Sequence, residues 1–212
     1  MPKISDREHL EAAAFAARLI CSDLQNWKDA FRAARENFGR DPDEKRVASE
    51  IRRWHALFAR EAHVRTLQRK RRAALELMHR VPGLELKLVG VVLSGAATEN
   101  SLPETVARGE SEKDAAIALL NAGLPAEPFE ASYPTSFVRK RRDALTLMTE
   151  IADEPVLIRI VPFGTSLPAP EKPDEWQSEL EARGSVGEAE LAEICGLAAS
   201  ECHPSGRKGL AH

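Results

Sequence analysis

Tyrosine occurs once in this chain, and cysteine, methionine and tryptophan three times each; no apolar run approaches the roughly 20 residues of a membrane span. The cysteines, Cys21, Cys195 and Cys202, are odd in number and lack paired spacing, which fits reduced thiols better than a disulfide framework. An excess of positive charge is also missing. The net charge is −3 with 30% charged residues, so any affinity for a polyanion has to come from local clusters. There is no G-x-x-x-x-G-K-[ST] phosphate loop, no C-x-x-C pair and no G-x-S-x-G nucleophile elbow around Ser94. The cysteine and histidine residues of the C-terminal part, Cys195, Cys202, His203 and His212, are too loosely spaced to read as a zinc site, and no metal ligand set is assigned. These features predict a soluble, cytoplasmic protein with no membrane association.

What is present is a chain of 212 residues, 43% hydrophobic, long enough for a sizeable core. From about Asp6 to Arg80 the apolar residues recur at helical spacing. Leu10, Ala13, Ala14, Ala17 and Ile20 make one stripe, capped by Ser5 or Asp6, and Trp27, Phe31, Ala34 and Phe38 make a second, closed by Gly39. Val47, Ile51, Trp54 and Phe58 make a third behind Asp41-Pro42. Aromatics at this spacing are core packing rather than ligand-stacking groups. His55, His63 and His79 fall on these helices and read as surface or interhelix hydrogen-bonding groups. A fourth helix, about 62 to 80, has Leu67, Ala74, Leu77 and Met78 on one side and a basic face containing Arg65, Arg69, Lys70 and Arg72; Pro82-Gly83 ends it.

At Leu84 the period changes. LELKLVGVVLSG alternates and then becomes continuously apolar, predicting a buried strand, whereas SLPETVARG, interrupted by Pro103, predicts a strand at an edge or with a distorted start. SEKDAAIALLNAG predicts a short helix and Phe129 to Tyr133 a further strand. DALTLMTEIADEPVLIRIVPF predicts a hairpin turning at 152 to 155. Beyond Gly164 the prolines of SLPAPEKPDEW mark a linker or extended arm, followed by one short helix and a flexible tail. The fold class is α+β: a helical region at 1–82, a small mixed sheet with covering helices at 83–164, and a linker, helix and tail at 165–212.

One decapeptide is used nearly twice, as RKRRAALELM at 69 to 78 and RKRRDALTLM at 139 to 148. The flanking patterns differ, so the first copy is expected to be helix and the second strand from about 143 onward. The shared charge makes Arg69, Lys70, Arg71, Arg72, Arg139, Lys140, Arg141 and Arg142 candidates for nucleic-acid binding, in which each neutralised phosphate releases counterions.

LVGVVLSGAATENSLPETV, residues 88 to 106, resembles the signature of the nucleotidyltransferase superfamily of DNA polymerase beta type. Gly90 and Gly95 match its two turn glycines and are the implied nucleotide-binding positions; Glu99-Asn100-Ser101 match its polar turn, and Leu102-Pro103-Glu104 its Asp-x-Asp. Over roughly Leu10 to Ile194 the chain also resembles uncharacterised bacterial nucleotidyltransferase-like proteins, some of which carry the name UDP-N-acetylmuramate–alanine ligase. The missing phosphate loop gives the ligase name no support. The resemblance implies a sheet of nucleotidyltransferase type and chemistry through magnesium ions held by paired carboxylates. Here Leu102 replaces the first acid, Val91 the serine that would hold phosphates, and Arg159 stands where a third carboxylate is expected; Glu104 is the one residual catalytic candidate. The implied function is a catalytically degenerate nucleotidyltransferase-like protein with a binding or regulatory role and no required cofactor. The alternatives are an active enzyme using magnesium and a nucleotide on a small molecule, RNA or protein, and a protein-interaction module built on the helices. Nucleotide, nucleic acid and a protein partner are the corresponding ligands.

Overall fold

The computed structural model describes residues 4–23, 25–109, 112–129 and 145–196. Three helices open the chain: α1 (Ile4–Ser22), α2 (Trp27–Phe38) and α3 (Glu44–Phe58). Helix α1 starts at Ile4, so Ser5 and Asp6 lie inside it rather than capping it. Asn26 caps α2 by accepting from the Asp29 N–H, and Gly39 ends it at φ 69°. The α3 cap is Asp43, two residues after the expected Asp41, accepting from the Arg46 N–H. Ala13, Ala17, Ile20, Phe31, Ala34, Val47 and Ile51 form one apolar cluster with Ala96 from a later turn. Small alanines on the facing stripes let the helices approach closely. Two aromatics break the predicted pattern: Phe58 is 71% exposed and Trp54 half-buried, because the stripe runs past the end of the packed interface.

The long helix α4 (Arg60–Arg80) belongs to a different layer. Its Leu67, Ala74, Leu77 and Met78 lie on one face of a six-stranded sheet, together with Leu119 of α6 (Glu112–Asn121) and Leu191 of α7 (Glu188–Ile194). The strands are β1 (Lys87–Val89), β2 (Glu104–Arg108), β3 (Glu127–Pro128), β4 (Leu145–Ile151), β5 (Glu154–Val161) and β6 (Ser185–Val186), ordered β3-β4-β5-β2-β1-β6. All neighbours are antiparallel except β2 and β5. The architecture is mixed α and β, with helices α4, α6 and α7 on one sheet face and helices α1 to α3 gathered beside it.

Two expectations about the sheet are corrected. The apolar run after Leu84 is not one strand: β1 has three residues, and Gly90 at φ 76° turns the chain into a five-residue helix, α5 (Gly90–Ser94). Strand β2 is central rather than an edge, between β1 and β5. Pro103 stands immediately before the strand, in keeping with the expected irregular start, and its carbonyl accepts from the Leu157 N–H at 2.9 Å. The hairpin occurs as expected, with a two-residue turn at Ala152 and Asp153, φ 50° and 63°, the left-handed pair of a type I′ connection. Of the second decapeptide, 145 to 148 are strand while the first decapeptide is entirely helix; 139 to 144 lie outside the described residues.

Residues 165–184, expected to be a linker or an extended arm, run as an irregular arm across the second sheet face, where Leu167 packs on Val89, Val106 and Val161. Gly184, at φ 76°, passes so close to this segment that a Cβ there would stand 2.6 Å from the Pro168 carbonyl oxygen. Strand β3, Glu127–Pro128, ends just before the strand expected at Phe129 to Tyr133; Phe129 is not part of a strand, and residues 130 to 133 lie outside the described residues. Among the described residues no helix is long and apolar enough to cross a membrane.

Candidate functional site

A cleft of about 1030 Å³ opens where α5 and the start of β2 meet the α3 surface and the 165–184 segment. Gly90, Ser94, Glu104, Ser49 and Arg52 are among its lining residues. Of the residues singled out by sequence, Gly90 and Glu104 come together: a Cβ on Gly90 would meet the Glu104 carboxyl at 3.8 Å.

Glu104 is not a free carboxylate. In the parallel register Val106 faces Arg159, which puts Glu104 and Arg159 on one sheet face, where Arg159 Nε donates to Glu104 Oε2 at 3.0 Å. Both side chains are buried, and Arg159 Nη1 also donates to Thr146 Oγ1 at 3.3 Å. Arg159 Nη2 is buried with no hydrogen-bond partner among the described residues. A guanidinium therefore supplies the positive charge that Glu104 requires in this low-dielectric floor.

The other end of the site is a helix terminus. A five-residue helix leaves its last carbonyls without intrahelical partners, and their partial negative charge favours cations. Four consecutive carbonyls are satisfied from outside. Arg71 donates to Val92 and Leu93, Arg52 and Gln177 to Ser94, and the His63 Nε2 lies 2.9 Å from the Gly95 carbonyl oxygen. Each arginine in turn meets an acid from the 165–184 segment: Arg52 pairs with Asp174 and Arg71 with Glu181, both at 2.6 Å. Burial works against the Glu181 charge, but Arg71 and the Ser178 donors hold its carboxyl below the usual range; Asp174 is likewise held down against burial by Arg52 and Ser49. Gly95 thus sits in an arginine cradle.

The first basic cluster proves to be half internal. Lys70, 1% exposed, donates to Glu154, Arg69 bridges Glu154 and Glu99, and Arg71 faces α5. Of the four cations at 69 to 72, Arg69 and Arg72 are exposed, whereas Lys70 and Arg71 are buried against groups of the same chain. Their burial was legible: Leu67, Lys70, Arg71, Ala74 and Met78 follow helical spacing, which puts two cations on the core-facing stripe. The signal for Arg52, Asp174 and Glu181 was weaker, because their meeting depends on a segment that has no periodic pattern. Residues Arg139 to Arg142, like Cys202, His203 and His212, lie outside the described residues.

Behind the cradle, His55 and His63 stack at 4.0 Å between ring centroids, and His55 contacts Cys21. Burial, reinforced by His63, pushes the His55 pKa down to about 4 from an ordinary 6.5, burial lowers His63, and burial raises the Cys21 thiol to about 12. A histidine held neutral in the fold leaves its contribution intact above the unfolded pKa; stability declines as pH falls from about 6.5 to about 4 and levels off below. The expected loss from His55 is about 3 kcal/mol. Urea denaturation across that window should show this decline in the wild type and a flatter profile in His55→Gln. An equal slope in the two proteins would contradict the assignment. His79, by contrast, is half-exposed and faces Glu188.

The fit to a divalent metal is poor. Magnesium needs convergent hard oxygen ligands, whereas Glu104 faces a guanidinium, and no group of three metal-ligating side chains occurs among the described residues. Comparison with known protein families, curated proteins and solved structures gave no match.

Proposed function

We propose that this chain is a catalytically degenerate nucleotidyltransferase-type protein in which the cleft serves a binding or regulatory role. The observation that carries the reading is the Glu104–Arg159 pair. At the end of a strand where metal-dependent transfer needs a second carboxylate and an ion, the one remaining acid is neutralised by an arginine from the neighbouring strand. The turn at Gly90 and the pairing of β1 with β2 support the resemblance in the backbone, while Leu102 and Val91 leave no second acid and no phosphate-holding hydroxyl at the matching positions. A permanent guanidinium also opposes the approach of a divalent cation by like-charge repulsion.

The test is incorporation of labelled nucleotide by the full chain with magnesium present, across protein, RNA and small-molecule acceptors. No incorporation above the protein-free blank is expected. Magnesium-dependent incorporation that disappears in Glu104→Ala would overturn the reading and establish an active enzyme.

A further inference from the structure

The 165–184 segment is the wall of the cleft with the least apolar anchorage. It has no regular structure from Thr165 to Leu180, and Leu167 and Ala182 are its principal apolar attachments. What holds it is polar: Lys45 to Glu171 at 2.7 Å, Ser49 and Arg52 to Asp174, Gln177 to the Ser94 carbonyl, and Arg71 to Glu181. Segments tied mainly by ion pairs and solvent-exposed backbone open locally at low free energy. Glu181 enters the cradle beside both arginines. A Cβ at Gly95 would lie 3.6 Å from Arg52 Cδ, 3.6 Å from a Glu181 oxygen and 3.9 Å from Arg71 Nη2, so both arginines and the carboxylate converge over a single glycine.

We propose that the 165–184 segment is an acidic strap whose Asp174 and Glu181 occupy an oxyanion site formed by Arg52 and Arg71, and that a compact, multiply charged oxyanion displaces it and opens the cleft. The inference rests on the reading of the cleft as a binding site and names its ligand chemistry. Two guanidinium forks present several donors in fixed planes, and each already holds a carboxylate oxygen at 2.6 Å, the separation a charge-assisted bond to another oxyanion would adopt. The strap's two acids come from different parts of an irregular segment, whereas one polyvalent anion would present its charges from a single molecule. Such a ligand binds without first losing the entropy of ordering a chain segment.

The probe is inorganic tripolyphosphate added to the full-length protein, with sodium chloride at matched ionic strength as control. Hydrogen exchange over residues 165–184 is expected to rise with tripolyphosphate and not with chloride, alongside calorimetric binding. Since the strap competes for the site, Asp174→Asn is expected to tighten binding by about tenfold or more, as removal of a competing closed state requires. Gly184→Ala, which forces a side chain against the Pro168 and Ala169 carbonyls without touching either arginine, should act in the same direction. Arg52→Gln should weaken it. Absence of binding, binding that leaves strap exchange unchanged or slowed, or an equal effect of chloride overturns the proposal. The exchange measurement on the wild type decides the matter even if a variant fails to fold. Magnesium-dependent nucleotide incorporation would overturn the functional reading instead, and the strap result is read independently of it.

Discussion

Arg159→Met is expected to destabilise the protein by about 3–5 kcal/mol, the usual effect of leaving one member of a buried ion pair without its counter-charge. Arg159 is 1% exposed and Glu104 6%, so water cannot replace the lost guanidinium cheaply. The double variant Glu104→Leu with Arg159→Met removes both charges and fills the floor with apolar volume, and should recover most of the loss. Urea denaturation of the wild type, both single variants and the double variant gives the interaction energy directly. If the double variant were as unstable as the sum of the singles, the pair would not be the unit described here. The same cycle bears on function, because the recovered double variant would keep the fold while abolishing the residual carboxylate.

A second loss of similar size, about 3–5 kcal/mol, is expected for Glu154→Ala, measured by chemical denaturation. Glu154 begins β5 immediately after the hairpin turn and receives Lys70 Nζ and Arg69 Nε, tying α4 to the sheet. Its removal leaves the Lys70 ammonium inside the core. The two cations are unequal: Arg69 is half-exposed and shares its charge with Glu99, so Arg69→Ala should change stability by only about 0–1 kcal/mol. Lys70→Met combined with Glu154→Ala should restore much of what the single loses. A result in which Arg69→Ala and Glu154→Ala are equally damaging would show that the exposed bridge, not the buried lysine, anchors the hairpin.

The helices and the hairpin were legible because each writes its period into the sequence. Met78 and Met148 end nearly matching decapeptides, yet a helical register precedes the one and a two-residue alternation follows the other, and the chain obeys those neighbours. The strand after Leu84 was misread because an apolar run carries no period, and the break at Gly90 is a matter of backbone angle. The charged groups were the harder case. RKRR at 69 reads as a surface patch if charge is equated with solvent, but the helical stripe carries Lys70 and Arg71 inward, where Glu154 and Glu181 arrive from far along the chain. Of the site, Gly90 and Glu104 could be found from a local motif; Arg52, Asp174 and Glu181 could not, because only tertiary structure brings them together.

The parallel pairing of β2 with β5 has a kinetic consequence. These central strands are joined through α6 and the β4–β5 hairpin, so their register forms only after a long intervening stretch of chain has been drawn together. Loop closure of that kind precedes any gain from the contacts it permits and slows folding. The contacts among α1, α2 and α3 are closer in sequence and demand less closure. Refolding should therefore show early helix formation at the N-terminal end, with the Glu104–Arg159 pair and the cleft above it assembling last.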